Sequence, residues 1–392
     1  MRRILLVFGT RPEAIKMAPV YRALKARGDR FDTLCCVTGQ HRAMLDQVLE
    51  VFGIRPDFDL DVMRDRQCLT ALHAAVSTGA ARIIAETLPD LVLVHGDTAT
   101  AMASALAAFH AGVPVGHVEA GLRSGDLAVP FPEEFNRRFV GTIARFHFAP
   151  TEGARAHLLR EGCDPASIAV TGNTVVDALR MIGPGHDCSR DDALRQVMGA
   201  DPNATPYVLV TCHRREAIGA GLGEICAALN TLVERFPEVR IVFPLHPNPA
   251  LRAIALPMLD ERANLRIVDP LPFDIFVPAM RRARFLLTDS GGMQEEGAAL
   301  GTPVLVMRDV TERPEALEAG GARLIGTSRC AIVEESTRML TDDALHRRMA
   351  DAPNPFGDGH AATRIADFLE AQAWLPALCK LNRDGVGAGR FG

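Results

Sequence analysis

Short apolar runs alternate with stretches of helical spacing along almost the whole chain, and this alternation constrains the fold more than any other feature. Each run has the length of a strand, is rich in Val, Ile, Leu or Phe, and precedes residues with helical apolar spacing. Continuous apolar strands separated by helices indicate a parallel sheet covered on both faces. The runs fall into two series, first ILLVFG, TLCCVTG, LVLVHGD, PVGHVEAG, FHFAP and IAVTGN, then YVLVTC, VRIVFPL, LRIVD, RFLLTDS and PVLVM.

The break between the two series predicts two domains. Residues 172–206 are rich in Gly, Pro and Asp, which is typical of a linker. A length of 392 residues also fits two domains better than one. We therefore predict an α/β chain of two Rossmann-like, doubly wound domains that face a cleft. The predicted limits are 1–172 with a returning helix at about 361–375, then 173–360, then a tail at 376–392.

Composition excludes several classes of function. The formal net charge of −5 argues against a broad nucleic-acid or membrane footprint. The nine cysteines contain no C-x-x-C pair, which favours free thiols in a reducing compartment over a disulfide or zinc framework. The first apolar run is too short for a signal peptide, so we expect a cytoplasmic protein.

The first polar cluster follows the first apolar run, in VFGTRPEAIKMAP. Pro12 stands where a helix could begin, and Arg11 and Lys16 could then reach a phosphate near that helix terminus. The alternative is a helix start with solvated charges. The G-x-G-x-x-G motif is absent here, which argues against a bound dinucleotide.

Carboxylates follow later strands of the same series. Asp97 ends LVLVHGD, Glu119 ends GHVEAG, and Glu133 with Glu134 comes after a Pro-rich turn. Taken singly, Asp97 could cap a helix, and the acidic pair could favour a helix dipole. Because successive parallel strands end at one edge of a sheet, we expect Asp97, Glu119 and Glu133 to converge there as acid and base groups.

The second series carries groups that suit a nucleotide diphosphate. His213, with Arg214 and Arg215, ends a strand and could grip a diphosphate. Ser290, Gly291 and Gly292 precede a helix and could bind phosphate through backbone N–H groups. We expect Glu295 and Glu296 on the first turn of that helix, where Glu295 would favour the helix terminus and Glu296 would bind ribose hydroxyls.

Two further groups in this series are less specific. Arg313 is a further anion contact, whereas His246 fits a rigid proline turn equally well. Metal-spaced Cys and His sets and acyl-transfer motifs are missing, so we expect no catalytic metal.

The motifs FGTRPEAIKMAP, HGDTATAMASALAAF, GHVEAGLRSGD, PEEFNRR, CHRRE, DSGGMQEE and MRDVTERPEA occur in this order. With them the chain resembles the non-hydrolysing UDP-N-acetylglucosamine 2-epimerases from residue 3 to about 372. The resemblance implies two domains of the glycosyltransferase B type, a cytoplasmic homodimer without a cofactor, and interconversion of UDP-GlcNAc with UDP-ManNAc. It also implies a route that eliminates UDP to give 2-acetamidoglucal and then adds UDP back.

The resemblance assigns roles to individual residues. The catalytic positions are Asp97, Glu119, Glu133 and His213. Those that match substrate-binding positions are Arg11, Lys16, Arg137, Ser290, Gly291, Gly292, Glu296 and Arg313.

Some relatives bind a second substrate molecule beside the active site. Gln40, His41, Gln47 and His246 resemble that allosteric site, although Ala71 replaces a polar residue of the family pattern. Cys212 replaces a small residue before HRRE, which leaves open a reactive thiol near the cleft.

Three alternatives stay open from the sequence. The Ser-Gly-Gly…Glu segment would serve a glycosyltransferase on the same scaffold equally well. A non-catalytic nucleotide-sugar sensor would tolerate loss of the carboxylates. A modified UDP-sugar could also be the preferred substrate, and the sequence does not identify the polysaccharide that uses the product.

Overall fold

The computed structural model describes residues 1–39, 42–64, 67–183, 188–212, 220–246, 248–260 and 262–372. The chain divides into two compact units, Met1–Met181 with the segment from Gly357 onward, and Ile182–Phe356. We call them the first and the second unit. The predicted limits, after residues 172 and 360, lie close to these positions but do not coincide with them.

The first unit is built on a parallel sheet of seven strands within the described residues, in the order β3-β2-β1-β4-β5-β6-β7. The strands are β1 (Arg2–Phe8), β2 (Phe31–Val37), β3 (Phe58–Asp59), β4 (Leu91–His95), β5 (Val115–Val118), β6 (Phe146–Ala149) and β7 (Ile168–Val170). The helices are α1 (Arg11–Lys25), α2 (Arg42–Val51), α3 (Leu69–Thr87), α4 (Ala99–His110), α5 (Glu133–Ile143), α6 (Glu152–Arg160) and α7 (Thr174–Ile182), with a 3₁₀ turn at Pro165–Ser167.

The second unit repeats the plan with six parallel strands in its described part, in the order β10-β9-β8-β11-β12-β13. The strands are β8 (Tyr207–Thr211), β9 (Arg240–Pro244), β10 (Leu265–Val268), β11 (Phe285–Thr288), β12 (Val304–Val306) and β13 (Ala322–Leu324). The helices are α8 (Cys188–Met198), α9 (Ala220–Arg235), α10 (Pro249–Met258), α11 (Phe273–Arg282), α12 (Gly291–Leu300), α13 (Pro314–Glu318), α14 (Arg329–Thr341) and α15 (Asp343–Ala350); α16 (Ala361–Ala371) belongs to the first unit.

The sheet cores explain the continuous apolar runs. Ile4 to Phe8 in β1 and Leu91 to Val94 in β4 are at most 1 % exposed, because helices cover both faces of the sheet. The two parallel sheets with alternating helices confirm the predicted Rossmann-like, two-domain α/β fold. In each sheet the strand order reverses once, between β1 and β4 and between β8 and β11, and such switch points are where ligands bind in open α/β sheets.

Three local expectations were wrong. Residues 172–206 do contain the division between the two units, but they are not an irregular linker, because α7 and α8 occupy much of that stretch. The strands β3 and β13 were missed because two or three edge residues carry too little periodic signal. The third correction concerns α12 and is given with the site.

Helix α16 packs on the first unit, as the expected returning helix. The Asp177 carboxylate accepts hydrogen bonds from the backbone N–H groups of Ala361 and Ala362 at 3.1 and 2.9 Å, which caps the helix. Phe368 meets Phe146 and Phe148 edge-on, with ring centroids 5.7 and 5.6 Å apart. In the part of the chain that the structure describes, no helix is both long enough and apolar enough to cross a membrane.

Candidate functional site

The predicted residues of the first unit lie around its switch point. Arg11 begins α1 directly after β1, Asp97 follows β4 and Glu119 follows β5. Arg11 is half-buried, whereas Lys16, one turn further along α1, is only 7 % exposed. The carboxyl edge of this sheet therefore carries cations and carboxylates side by side.

Glu13 organises the loop that leads into this edge, and the sequence interpretation missed it. Its carboxylate accepts hydrogen bonds from the N–H groups of Gly9 and Thr10 at 3.0 and 2.8 Å, and from the Thr98 hydroxyl at 2.6 Å. With the Thr10 side chain these contacts form a capping box at the start of α1. Burial raises the pKa of Glu13 despite these hydrogen bonds. The T-x-x-E spacing would have revealed this structural role.

Glu119 lies in a strained and crowded position. Its φ of 63° falls in the left-handed region, which only glycine adopts at little cost. Its Oε2 contacts the ammonium of Lys16 and accepts a hydrogen bond from Asn173 at 2.9 Å. A Cβ built on Gly96 would lie 3.9 Å from Glu119 Oε1, so this carboxylate reaches the turn that carries Asp97.

Asp97 is held by the start of α5. The guanidinium of Arg137 contacts Asp97 Oδ2, and the Asn136 amide donates to the Asp97 backbone carbonyl at 2.8 Å. The Asp97 side chain is 26 % exposed, whereas that of Arg137 is 5 % exposed. The arginine therefore fixes a carboxylate that is still open to solvent.

The adjacent glutamates of α5 differ in what they contact. Glu134 is fully buried and accepts hydrogen bonds from the Ser124 N–H, from Arg137 and from Arg138, at 3.0, 3.2 and 2.9 Å. Glu133 is half-buried at the first position of the helix. Glu134 is thus the structural member of the pair, and Glu133 keeps the candidate role.

Helix α12 begins earlier than the sequence predicted, so its two glycines lie inside the helix and not in front of it. The helix begins at Gly291 with Ser290 as its N-cap, so Gly291 and Gly292 form the first turn and Glu295 and Glu296 lie beyond it. Ser290 occupies the N-cap position without a capping hydrogen bond from its side chain among the described residues, and the first N–H groups of the helix have no intrahelical partner. Those N–H groups make an anion site chemically reasonable.

The side chain of Arg313 leaves little room for a Cβ at Gly291. A Cβ at this position would lie 2.9 Å from Nη1 of Arg313, closer than real Cβ contacts, and 3.1 Å from Cζ, which is tighter than most of them. The Arg313 guanidinium therefore packs directly over the first turn of α12. Arg313 is only 9 % exposed.

Buried ion pairs fix that guanidinium. Arg313 Nε donates to Glu295 Oε1 at 2.9 Å, and Glu295 is 1 % exposed. Glu312 lies 3.5 Å from Arg313 Nη1 and accepts two hydrogen bonds from Arg308, at 2.9 and 3.2 Å. Glu295 thus anchors Arg313 rather than favouring the helix terminus, while Glu296 is half-buried.

Cys212 is not a reactive thiol. It is 2 % exposed, and burial together with Asp289 raises its pKa far above neutrality, so the thiol stays protonated.

The remaining candidates either lie outside the described residues or lie on other elements of the two units. His213, Gln40 and His41 lie outside them. Gln47 is exposed on α2 of the first unit. His246 follows β9 in the second unit, where its Nδ1 accepts a hydrogen bond from the Asn248 N–H at 3.2 Å.

Comparison with known proteins places the chain among nucleotide-sugar isomerases. The family model described as UDP-N-acetylglucosamine 2-epimerase matches residues 22–370. A probable UDP-N-acetylglucosamine 2-epimerase of Ralstonia solanacearum is 49% identical over 375 residues, 95% of this chain and 99% of the relative. The UDP-N-acetylglucosamine 2-epimerase of Escherichia coli (strain K12) is 49% identical over 373 residues, 94% of this chain and 98% of the relative.

A solved structure agrees with these relatives. The crystal structure of UDP-GlcNAc 2-epimerase from Neisseria meningitidis bound to UDP-GlcNAc has a TM-score of 0.91 and 40% identity, and the match covers 94% of this chain and 100% of that one. This chain belongs to the UDP-N-acetylglucosamine 2-epimerase family. Enzymes of that class are isomerases.

Proposed function

We propose that this chain interconverts UDP-GlcNAc and UDP-ManNAc by inverting C2 of the sugar. The observation that carries the proposal is the pairing of Asp97 with Arg137 and of Glu119 with Lys16 at the first switch point. A glycosyltransferase has little need for several carboxylates at this edge. Family membership, and a relative solved with UDP-GlcNAc bound, support the choice of substrate.

The proposed route is elimination followed by addition, because the C2 proton of an N-acetylhexosamine is not acidic enough for simple removal. One carboxylate takes the C2 proton while the C1–O bond breaks and UDP leaves with the bonding electrons. The product of this half-reaction is 2-acetamidoglucal, with a C1=C2 double bond. A UDP oxygen then adds back to C1, and a proton returns to C2 from the opposite face. Asp97, Glu119 and Glu133 are the candidate acid and base groups.

The second unit is proposed to hold UDP as leaving group and returning nucleophile. The N–H groups of Gly291 and Gly292 and the anchored guanidinium of Arg313 suit phosphate oxygens. Ser290 adds a hydroxyl and Glu296 a carboxylate for the ribose. Arg11 and His213 are assigned to the diphosphate and its departure, and Lys16 and Arg137 hold the carboxylates beside the sugar.

Incubation of the purified chain with UDP-GlcNAc in deuterated water tests the proposal. We expect deuterium at C2 and formation of UDP-ManNAc without any acceptor, followed by NMR. A glycosyltransferase would leave C2 unlabelled and would consume UDP-GlcNAc only when an acceptor is added, and a sensor would bind the sugar unchanged. Labelling of a modified UDP-HexNAc but not of UDP-GlcNAc would replace the substrate while keeping the reaction.

Assembly and regulation belong to the same proposal. We propose that the chain forms a cytoplasmic homodimer and that its product supplies ManNAc units for cell-surface polysaccharide synthesis. Light scattering of the purified chain measures the oligomeric state and so tests the homodimer. We also propose that Gln40, His41, Gln47 and His246 belong to a second substrate site, as the family resemblance implies. A hyperbolic dependence of rate on UDP-GlcNAc that is unchanged in Gln47→Ala would argue against it.

A further inference from the structure

A buried imidazole with an unsatisfied nitrogen lies at the end of β4, beside the carboxylate Glu119. His95 is 4 % exposed, and its Nε2 makes no hydrogen bond among the residues that the structure describes. Buried polar atoms are almost always paired, since an unpaired one loses its hydration without compensation. The orphaned nitrogen therefore calls for an explanation.

The nitrogen faces Oε2 of Glu119, an oxygen that two other side chains also contact. His95 Nε2 lies 3.6 Å from Glu119 Oε2, slightly beyond hydrogen-bond distance. Lys16 and Asn173 contact the same oxygen. Oε1, by contrast, lies toward Gly96 and the turn that carries Asp97.

Two other histidines of the sheet show what a structural role looks like. His117 on β5 has Nε2 2.7 Å from the Gly96 carbonyl oxygen, and His147 on β6 has a backbone hydrogen bond with Ala144. Among the described residues, each of them leaves only Nδ1 unpaired. His95 differs because its unpaired nitrogen points at a carboxylate of the candidate site.

We propose that His95 is a positioning residue for Glu119, and that its Nε2–H closes on Oε2 to orient Oε1 toward the sugar. No proton passes to or from His95 in this role. His95, Lys16 and Asn173 then all hold Oε2 of Glu119. Oε1 is the oxygen that exchanges the C2 proton. The inference rests on the proposed function, in which Glu119 is one of the proton-transfer groups.

His95→Phe and His95→Gln separate positioning from packing. Phenylalanine fills the space without a polar atom, whereas glutamine returns an N–H near the position of Nε2. The matched control is His147→Phe, the same change at a buried histidine of the same sheet. Readouts are kcat and KM for UDP-GlcNAc, the rate of deuterium incorporation at C2, and the free energy of unfolding.

We expect His95→Phe to lower kcat and the deuterium rate by at least about tenfold with KM nearly unchanged, as for loss of an interaction made in the transition state. Its free energy of unfolding should not fall, because the change removes an unsatisfied polar atom. His95→Gln should recover part of kcat, and His147→Phe should retain wild-type kcat.

Wild-type kcat in His95→Phe, or equal loss in the phenylalanine and glutamine variants, would overturn the inference while the wild-type enzyme still labels C2. If the wild-type enzyme does not incorporate deuterium at C2, that result would contradict both the proposed function and the inference about His95. If the phenylalanine variant does not fold, the glutamine variant decides alone: a kcat below the wild-type value with KM unchanged supports positioning, and a wild-type kcat or a large rise in KM contradicts it.

Discussion

Asp97 and Glu119 each lie against a basic side chain at the carboxyl edge of the first sheet. We expect Asp97→Asn and Glu119→Gln to lower turnover by about 10²-fold or more, the usual contribution of an acid or base group. UDP affinity should stay within about threefold, since neither side chain is assigned to UDP. Steady-state kinetics and UDP titration measure the two quantities.

A suitable control is Glu152→Gln, which changes a largely exposed carboxylate on α6 of the same unit. Equal losses of turnover and UDP affinity in the site variants would contradict their assignment to the sugar.

At the residue scale, Glu119 and Glu134 show which features of the site could not be predicted from the sequence. The strand-end position of Glu119 was evident from the sequence, whereas its positive φ and its contacts with Lys16 and Asn173 depend on segments far apart in the chain. Glu133 and Glu134 are adjacent and chemically identical. What separates them is the complete burial of Glu134, which also accepts a hydrogen bond from the Ser124 N–H of the loop that precedes α5.

At the scale of elements, the first turn of α12 offers a matched pair of glycines. Gly292→Ala should raise the free energy of unfolding by up to about 1 kcal/mol through helix propensity. A Cβ there meets Ser290 Oγ at 3.8 Å, which is ordinary contact. Gly291→Ala should lower it, because its Cβ would displace the anchored Arg313 guanidinium. Urea unfolding of both variants without ligand provides the measurement. Equal gains in stability would contradict the prediction, because they would mean that the Arg313 side chain moves away from the new Cβ at no cost in free energy.

Helix α16 gives a second prediction at this scale. Phe368→Ala removes two edge-on ring contacts with β6 and should cost about 2–3 kcal/mol of unfolding free energy, less than a fully buried Phe because Phe368 is half-buried. Phe109→Ala on α4 serves as the comparison, since that ring is 56% exposed. Similar effects in the two variants would mean that α16 contributes little to the first unit.

At the scale of the whole molecule, buried histidines make stability depend on pH. Burial lowers the pKa of His147 from 6.5 to about 4 and that of His117 to about 3. Between about pH 6.5 and 4 the unfolded chain therefore binds protons that the folded chain does not, so stability falls as the pH is lowered through this window.

His147→Phe should remove on the order of 1–2 kcal/mol of the stability lost between about pH 7 and 5. Urea unfolding of wild type and variant at both pH values tests this difference. Burial raises the pKa values of Glu13 and Asp177, so these two carboxyl groups change stability with pH in the direction opposite to the histidines. Because wild type and variant both contain them, the difference between the two proteins isolates the contribution of His147. An unchanged pH dependence in the variant would show that His147 does not contribute.

The sequence by itself determined the two Rossmann-like sheets, the strand ends that carry Asp97, Glu119 and Ser290, and the family. Local periodicity and motif spacing encode those features, because they depend on residues close together in the chain. Tertiary structure alone decided which charges meet: Lys16 with Glu119, Arg137 with Asp97, and Glu295 with Arg313. These pairs join residues 18 to 103 positions apart, and whether such groups touch depends on how strands and helices pack, which no local pattern records.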